Sequence, residues 1–343
     1  MSFKRFDQQD VVVSAESVST PLWSGNVTAL SSFYTSSTQV GGPSGDYYYN
    51  IYQTGSADES SRTQFSLTYG NKDGKGSIDY NPNVAGKSPS STIFGQYRSL
   101  VLGDEDSDFV FGSIPSNHFY AIAIDRARYK EKLLPGTLDL VLQSDSGSIR
   151  LTDNSQVVST VTFTDSGREY DLVSGSLGVI YSGLQVDGHT TTSGSYGKLY
   201  PDIGILLLNA RALQAPLLEG GLNLSVFEGN NIIHTDGKST NIQKAFDLFE
   251  QGKRFRIQSE ETISSNFVFV RARNNEFNYS SNPSLITGSG EIRHNVMINS
   301  PQSYVTSVGL YNDNNDLLAI AKLSRPLLKD FTKESLIRVK LDY

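Results

Sequence analysis

Four carboxylates fall within five residues in the run DEDSD: Asp104, Glu105, Asp106 and Asp108. Carboxylate oxygens at that density resemble the donor set of a hard cation such as calcium, and a carboxylate pair is also what general acid–base catalysis needs. Either use requires further ligands or a partner at defined spacing, and none surrounds the run. A short charge run without that support is expected in a solvated loop, or facing an arginine of a partner protein.

A second polar cluster, Asn312 to Asp316, sits between two apolar runs in SVGLYNDNNDLLAIAKL. A calcium hand loop starting at Asp313 would have Asn315 at its third position. Leu317 and Leu318 would then stand at the fifth and sixth positions, and Ser324 at the twelfth, where the loop needs glycine and a bidentate glutamate. Asn and Asp tolerate left-handed backbone and bond to their own turn, so the stretch predicts a hairpin loop. Val308 and Leu310 share one face of the first strand, and Leu318 and Ile320 one face of the return strand.

Phosphate chemistry has two partial candidates. NPNVAGKS (81–88) places Gly-Lys-Ser correctly, but Asn81 stands where glycine is needed and Pro89 follows where a helix should begin. IIHTDGKS (232–239) is followed by a helix, but Ile232 replaces the first glycine, so Asp236-Gly237 is expected as a turn. Hydrolytic motifs of the form G-x-S-x-G or H-E-x-x-H are absent, and the four histidines, His118, His189, His234 and His294, are scattered. Each is expected as a loop or strand-edge residue. No cofactor or metal is expected, and the chain reads as a non-enzyme.

Most of the chain must be strands and turns to hold these residues. Short apolar runs rich in Val, Ile, Tyr and Phe (VVV at 11–13, YYYNIY at 47–52, FSLTY at 65–69) alternate with breakers such as GGPSGD (41–46) and GNKDGKG (70–76). A short helix is expected from Asp125 to Leu133, stopped by Pro135-Gly136, followed by strands in TLDLVLQ, SIRL and TVTFT. ILLLNARALQAPL (205–217) reads as a buried strand turning into a brief helix that Pro216 ends. The one clear helix is 241–251, where Ile242, Ala245, Phe246 and Phe249 follow the spacing of a buried stripe. Thr240 with Gln243 makes a capping-box pattern, and Gly252 marks the end. RFRIQ and NFVFVRAR then alternate with period two. Arg254, Arg256, Arg271 and Arg273 would form either a basic strip for phosphate or a solvated sheet face, and the latter is expected of half-buried strands. The fold expected is mainly β, with short helices and two β-rich domains, 1–215 and 216–343, divided at the helix–proline break.

The totals narrow the function. Of 343 residues none is cysteine, which excludes a disulfide framework and a cysteine nucleophile. A net charge of −7 argues against a dedicated nucleic-acid binder. No run of about 18 apolar residues suggests a membrane span, and the start MSFKRFDQQD has no apolar signal-peptide core.

The stretch SYVTSVGLYNDNNDLLAIAKLSRPLLK (303–329), with LIRVKLDY (336–343), resembles a C-terminal segment of virion structural proteins in contractile-tailed cyanophages and related marine phages. SAESVSTPLWS (14–24), YYYNIYQT (47–54), QYRSLVLGDEDSDFVFG (96–112), RARYKEKLLPG (126–136), TDSGREYDLVSG (164–175) and YGKLYPDIGILLLN (196–209) are similar to the same family, so the resemblance spans nearly the whole chain. The hairpin is also loosely similar to attachment domains of phage tail fibres, in Val308, Gly309, Leu310, Tyr311, Leu318, Ala319 and Ile320, with Lys322 where those domains have glycine. The resemblance implies a structural component of the phage particle, present in multiple copies and binding other virion proteins in the tail or baseplate. Its contacts would include Asp104, Glu105, Asp106, Asp108, Arg254, Arg256, Arg271, Arg273, Tyr311 and Asp313. A head or neck protein is one alternative. A host receptor-binding module, with Tyr-rich loops such as DYYYNIY stacking on sugars, is another.

Overall fold

The computed structural model describes residues 4–35, 47–55, 58–77, 80–84, 87–181, 194–226, 241–280 and 282–342. The run at 41–46, residues 232–239, the Thr240 cap, His189 and His234 lie outside these. The chain is mainly β, as its alternating runs predict, and its strand pairs are antiparallel. Two compact units form: Val18–Glu261, and Met1–Ser17 with Thr262–Tyr343. Residue 215 therefore falls inside the larger unit. The expected boundary there is a local turn, in which Gly221 N donates to Pro216 O and Leu222 N to Leu213 O.

In the larger unit the strand order is Arg254–Ala272 (its first half), Lys132–Ser144, Gly147–Asp153, Gly167–Ser176, Gly197–Tyr200, Ile205–Asn209, His118–Ile124, Thr63–Asn71, Tyr48–Tyr52 and Tyr34–Thr35. Ala29–Leu30 pairs with Phe255 and Arg256 at one end of this order, and Tyr34–Thr35 pairs with Tyr52 and Ile51 at the other. The four steps from Leu30 to Tyr34 reach at most about 14 Å, so the sheet must curl to bring its two ends together. Its concave face collects the alternating residues Phe65, Leu67, Leu138, Leu140, Leu151 and Phe255, with the Trp23 ring tilted against Phe255 at a centroid distance of 4.9 Å. Helix Asn241–Gly252 closes this core with its predicted stripe, Ile242, Ala245, Phe246 and Phe249. It stops where Lys253 turns left-handed at φ 50.

A second helix, Pro89–Leu102, is longer than the one the sequence made clear. Pro89 does not block it. The residue occupies the first helical position, where a missing N–H costs nothing and a fixed φ helps. This helix sends Phe94, Tyr97 and Val101 onto the convex face of His118–Ile124 and Ile205–Asn209, against Phe119, Ala121 and Leu207. Those two strands are thus buried on both faces, which is why FYAIAI and ILLLN read as unbroken apolar runs. The helix expected at 125–133 is instead one 3-10 turn, Arg126–Arg128, capped by Asp125. Pro135 and Gly136 lie within a strand, not after a helix. Gly136 turns left-handed at φ 82, its N–H donates to both Asp153 oxygens at 2.8 and 2.9 Å, and the register slips there. The brief helix after Ile205–Asn209 forms at Ala210–Gln214.

In the smaller unit, Ser335–Asp342 pairs with Ser265–Ala272, and Ser303–Tyr311 with Leu317–Lys329 forms a hairpin. Val268, Val339 and Leu310 form its core, with Val270, Val308, Ala319, Ala321 and Ile337 packed around them.

Candidate interaction surfaces

The DEDSD run follows the left-handed Gly103 that ends helix Pro89–Leu102. Asp104 uses its carboxylate on its own turn. One oxygen accepts from the Asp106 and Ser107 N–H groups, the other from the Ser107 hydroxyl. Those bonds, the Ser107 hydroxyl first, hold its carboxyl below the usual range. Asp108 pairs with Lys72 at 2.5 Å, and Glu105 and Asp106 are exposed. The run is thus a self-bonded loop tip with two carboxylates facing solvent. Among the described residues no three His, Cys, Asp or Glu side chains gather as a metal would need.

The four arginines divide between the units. Arg254 and Arg256 belong to the larger, Arg271 and Arg273 to the smaller. Arg254 is bound in an ion triad around Asp139, whose carboxylate has no exposed surface. Arg150 Nε and Nη2 reach it at 2.6 and 2.8 Å, and Arg254 Nε at 2.5 Å. Burial pushes the Asp139 carboxyl up, but the hydrogen bonds and charges of the two guanidiniums outweigh it and leave it below its ordinary value. Arg256 is half-buried, with its Nε enclosed and lacking a hydrogen-bond partner among the described residues. Arg271 is exposed on a strand, and the Arg273 N–H donates to Glu276.

The Asn312–Asp316 cluster is a hairpin turn. Asn312 Oδ1 accepts from Asn314 N and Asp316 N, its Nδ2 donates to Asp316 at 2.9 Å, and Asn315 takes φ 66. Asp313 is exposed beside it. The flanking strands are inverted relative to an ordinary amphipathic hairpin. Leu310 is paired with Ala319 and Val308 with Ala321, and these four face the core. Leu318 and Ile320 point outward and are 67% and 64% exposed. Tyr311 lies across Gly309 on that side: a Cβ on Gly309 would come within 2.9 Å of the Tyr311 ring. Lys322, two residues beyond Ile320, shares the outward face.

A cleft of about 770 Å³ opens in the larger unit between helix Pro89–Leu102 and strands Tyr48–Tyr52 and Thr63–Asn71. Tyr47, Tyr48, Ser66, Thr68, Lys87, Gln96 and Tyr97 are among its lining residues. The tyrosine run is legible in the sequence, but the opposite wall is not, because Pro89 reads in one dimension as a helix breaker. Lys87 and Ser88 of the partial phosphate-loop motif line the cleft. The Ser88 hydroxyl, which a phosphate loop would aim at magnesium, instead donates to Gly74 O. Of the histidines, His118 is buried, with Nδ1 2.8 Å from Asn117 Oδ1 and Nε2 3.0 Å from Gln214 Oε1; His294 is exposed. No helix among the described residues is long and apolar enough to cross a membrane.

Compared with known families, curated proteins and solved structures, the chain matches none.

Proposed function

We propose that this chain is a non-enzymatic structural subunit of a contractile-tailed phage particle, seated in the tail or baseplate and held by neighbouring virion proteins. The observation that carries it is the inverted hairpin. Small alanines face the core of the smaller unit while Leu317, Leu318 and Ile320 face out. A slip of one residue would turn the leucines inward, yet the register pairs Ala319 with Leu310. Large apolar side chains held outward in this way mark a surface that another protein covers. Val268, Ala272, Leu310 and Val339 are the buried apolar residues of this unit among those described, a thin core for its size. A neighbouring subunit would supply the missing burial.

The family resemblance supports the same role, since its C-terminal segment contains this hairpin. Fractionation of purified particles tests the placement. The chain is expected to leave with detached tails. Retention of all of it on tail-stripped heads would place it in the head or neck instead.

A further inference from the structure

We infer that the cleft between helix Pro89–Leu102 and strands Tyr48–Tyr52 and Thr63–Asn71 is a binding site for an acidic saccharide. Its floor is the convex face of the two strands, where Tyr48 lies opposite Thr68 and Asn50 opposite Ser66. Its wall is the first half of the helix, through Pro89, Thr92, Ile93, Gln96 and Tyr97. At about 770 Å³ it is large enough for several sugar rings.

The lining selects the chemistry. Tyrosine offers a flat apolar face to the C–H side of a sugar ring and a hydroxyl at its edge. Tyr48 is 41% exposed and presents such a face without needing to move out of a core. Around it stand hydroxyl and amide groups, from Thr68, Thr92 and Gln96, that donate and accept as sugar hydroxyls do. Lys87 is exposed and is the one charged residue among the described lining side chains. The first turn of the helix carries no acidic residue either, so its positive end adds to the same field. A carboxylate- or sulfate-bearing sugar satisfies both features of the lining, the aromatic face and the single cation. A nucleic-acid strand would stack on tyrosine as well, but it needs a row of cations that the described lining residues do not provide.

The cleft belongs to the larger unit and shares no residue with the hairpin, so its test leaves the assembly role untouched. The intact chain is applied to a printed array of neutral and acidic glycans that also carries single-stranded oligonucleotides. Binding to acidic glycans is expected, and Tyr48→Ala and Lys87→Gln are each expected to weaken it at least tenfold. Both positions are exposed, and unchanged thermal unfolding followed by Trp23 fluorescence checks that each variant is folded. Three outcomes overturn the inference: no glycan binding by the folded chain, binding that neither variant alters, or a response confined to neutral glycans or oligonucleotides.

Discussion

At the scale of single residues, the polar side chains that looked most reactive are committed to the fold. Asp104 and Asn312 each bond to their own turn, and Asp139 bridges two arginines. Asp139→Ala would leave Arg150 and Arg254 facing each other without their shared anion. Because both arginines also reach solvent, the expected loss is roughly 2–4 kcal/mol, below the upper end for a fully enclosed pair. Urea unfolding followed by Trp23 fluorescence checks it. The same group sets a pH dependence. Its folded carboxyl lies below the ordinary 3.8, so its contribution is complete above that value and is lost as pH falls through the lower folded one. Acid titration of the Asp139→Asn protein should therefore show a weaker loss of stability below about pH 4 than the parent shows. In the smaller unit Lys329 is fully buried, with Nζ donating to Asn274 O, Asn278 Oδ1 and Asp330 O at 3.0, 2.7 and 2.9 Å. Lys329→Met keeps the stem but removes the donor to Asn278 Oδ1, while Asn274 O still accepts from Asn278 Nδ2 and Asp330 O from Lys333 N, at a cost of about 1–3 kcal/mol. Faster amide exchange in Ser303–Tyr311 and Leu317–Lys329 would report it.

At the scale of elements, period-two alternation made the strands legible and the buried stripe made helix Asn241–Gly252 legible. The helix at Pro89–Leu102 was hidden for a physical reason: a proline at a first helical position looks, in one dimension, like a breaker. Pro135-Gly136 misled in the opposite direction, because a left-handed glycine serves a strand irregularity as well as a helix end. The hairpin at 303–329 was readable, but which of its faces lies inward was not, since alanine and leucine both count as apolar. The missed helix also meets the sheet closely. A Cβ on Gly70 would lie 2.9 Å from the Phe119 ring and 3.3 Å from the Phe94 backbone. Gly70→Ala should push the helix off the sheet, cost about 1–3 kcal/mol of stability in chemical denaturation, and widen the saccharide cleft. A variant as stable as the parent would show that the helix is not held at that distance.

At the scale of the whole molecule, the chain has a deep aromatic core in one unit and a thin core under an outward-facing apolar hairpin in the other. The arginines and acidic residues that the sequence offered as one set of contacts are dispersed over separate environments, and several of them serve the fold. The outward, largely exposed leucine and isoleucine side chains are the feature best suited to holding a neighbour. Leu318→Asp with Ile320→Asp should therefore change stability by no more than about 0.5 kcal/mol, as exposed positions do, while abolishing incorporation into particles. The most direct measurement is amine cross-linking of intact particles, read by mass spectrometry at Lys322, which shares the outward face with Leu318 and Ile320. The predicted result is a set of cross-links from Lys322 to another tail protein. Particles in which other lysines of this chain link to their neighbours while Lys322 links to none would contradict docking through the hairpin.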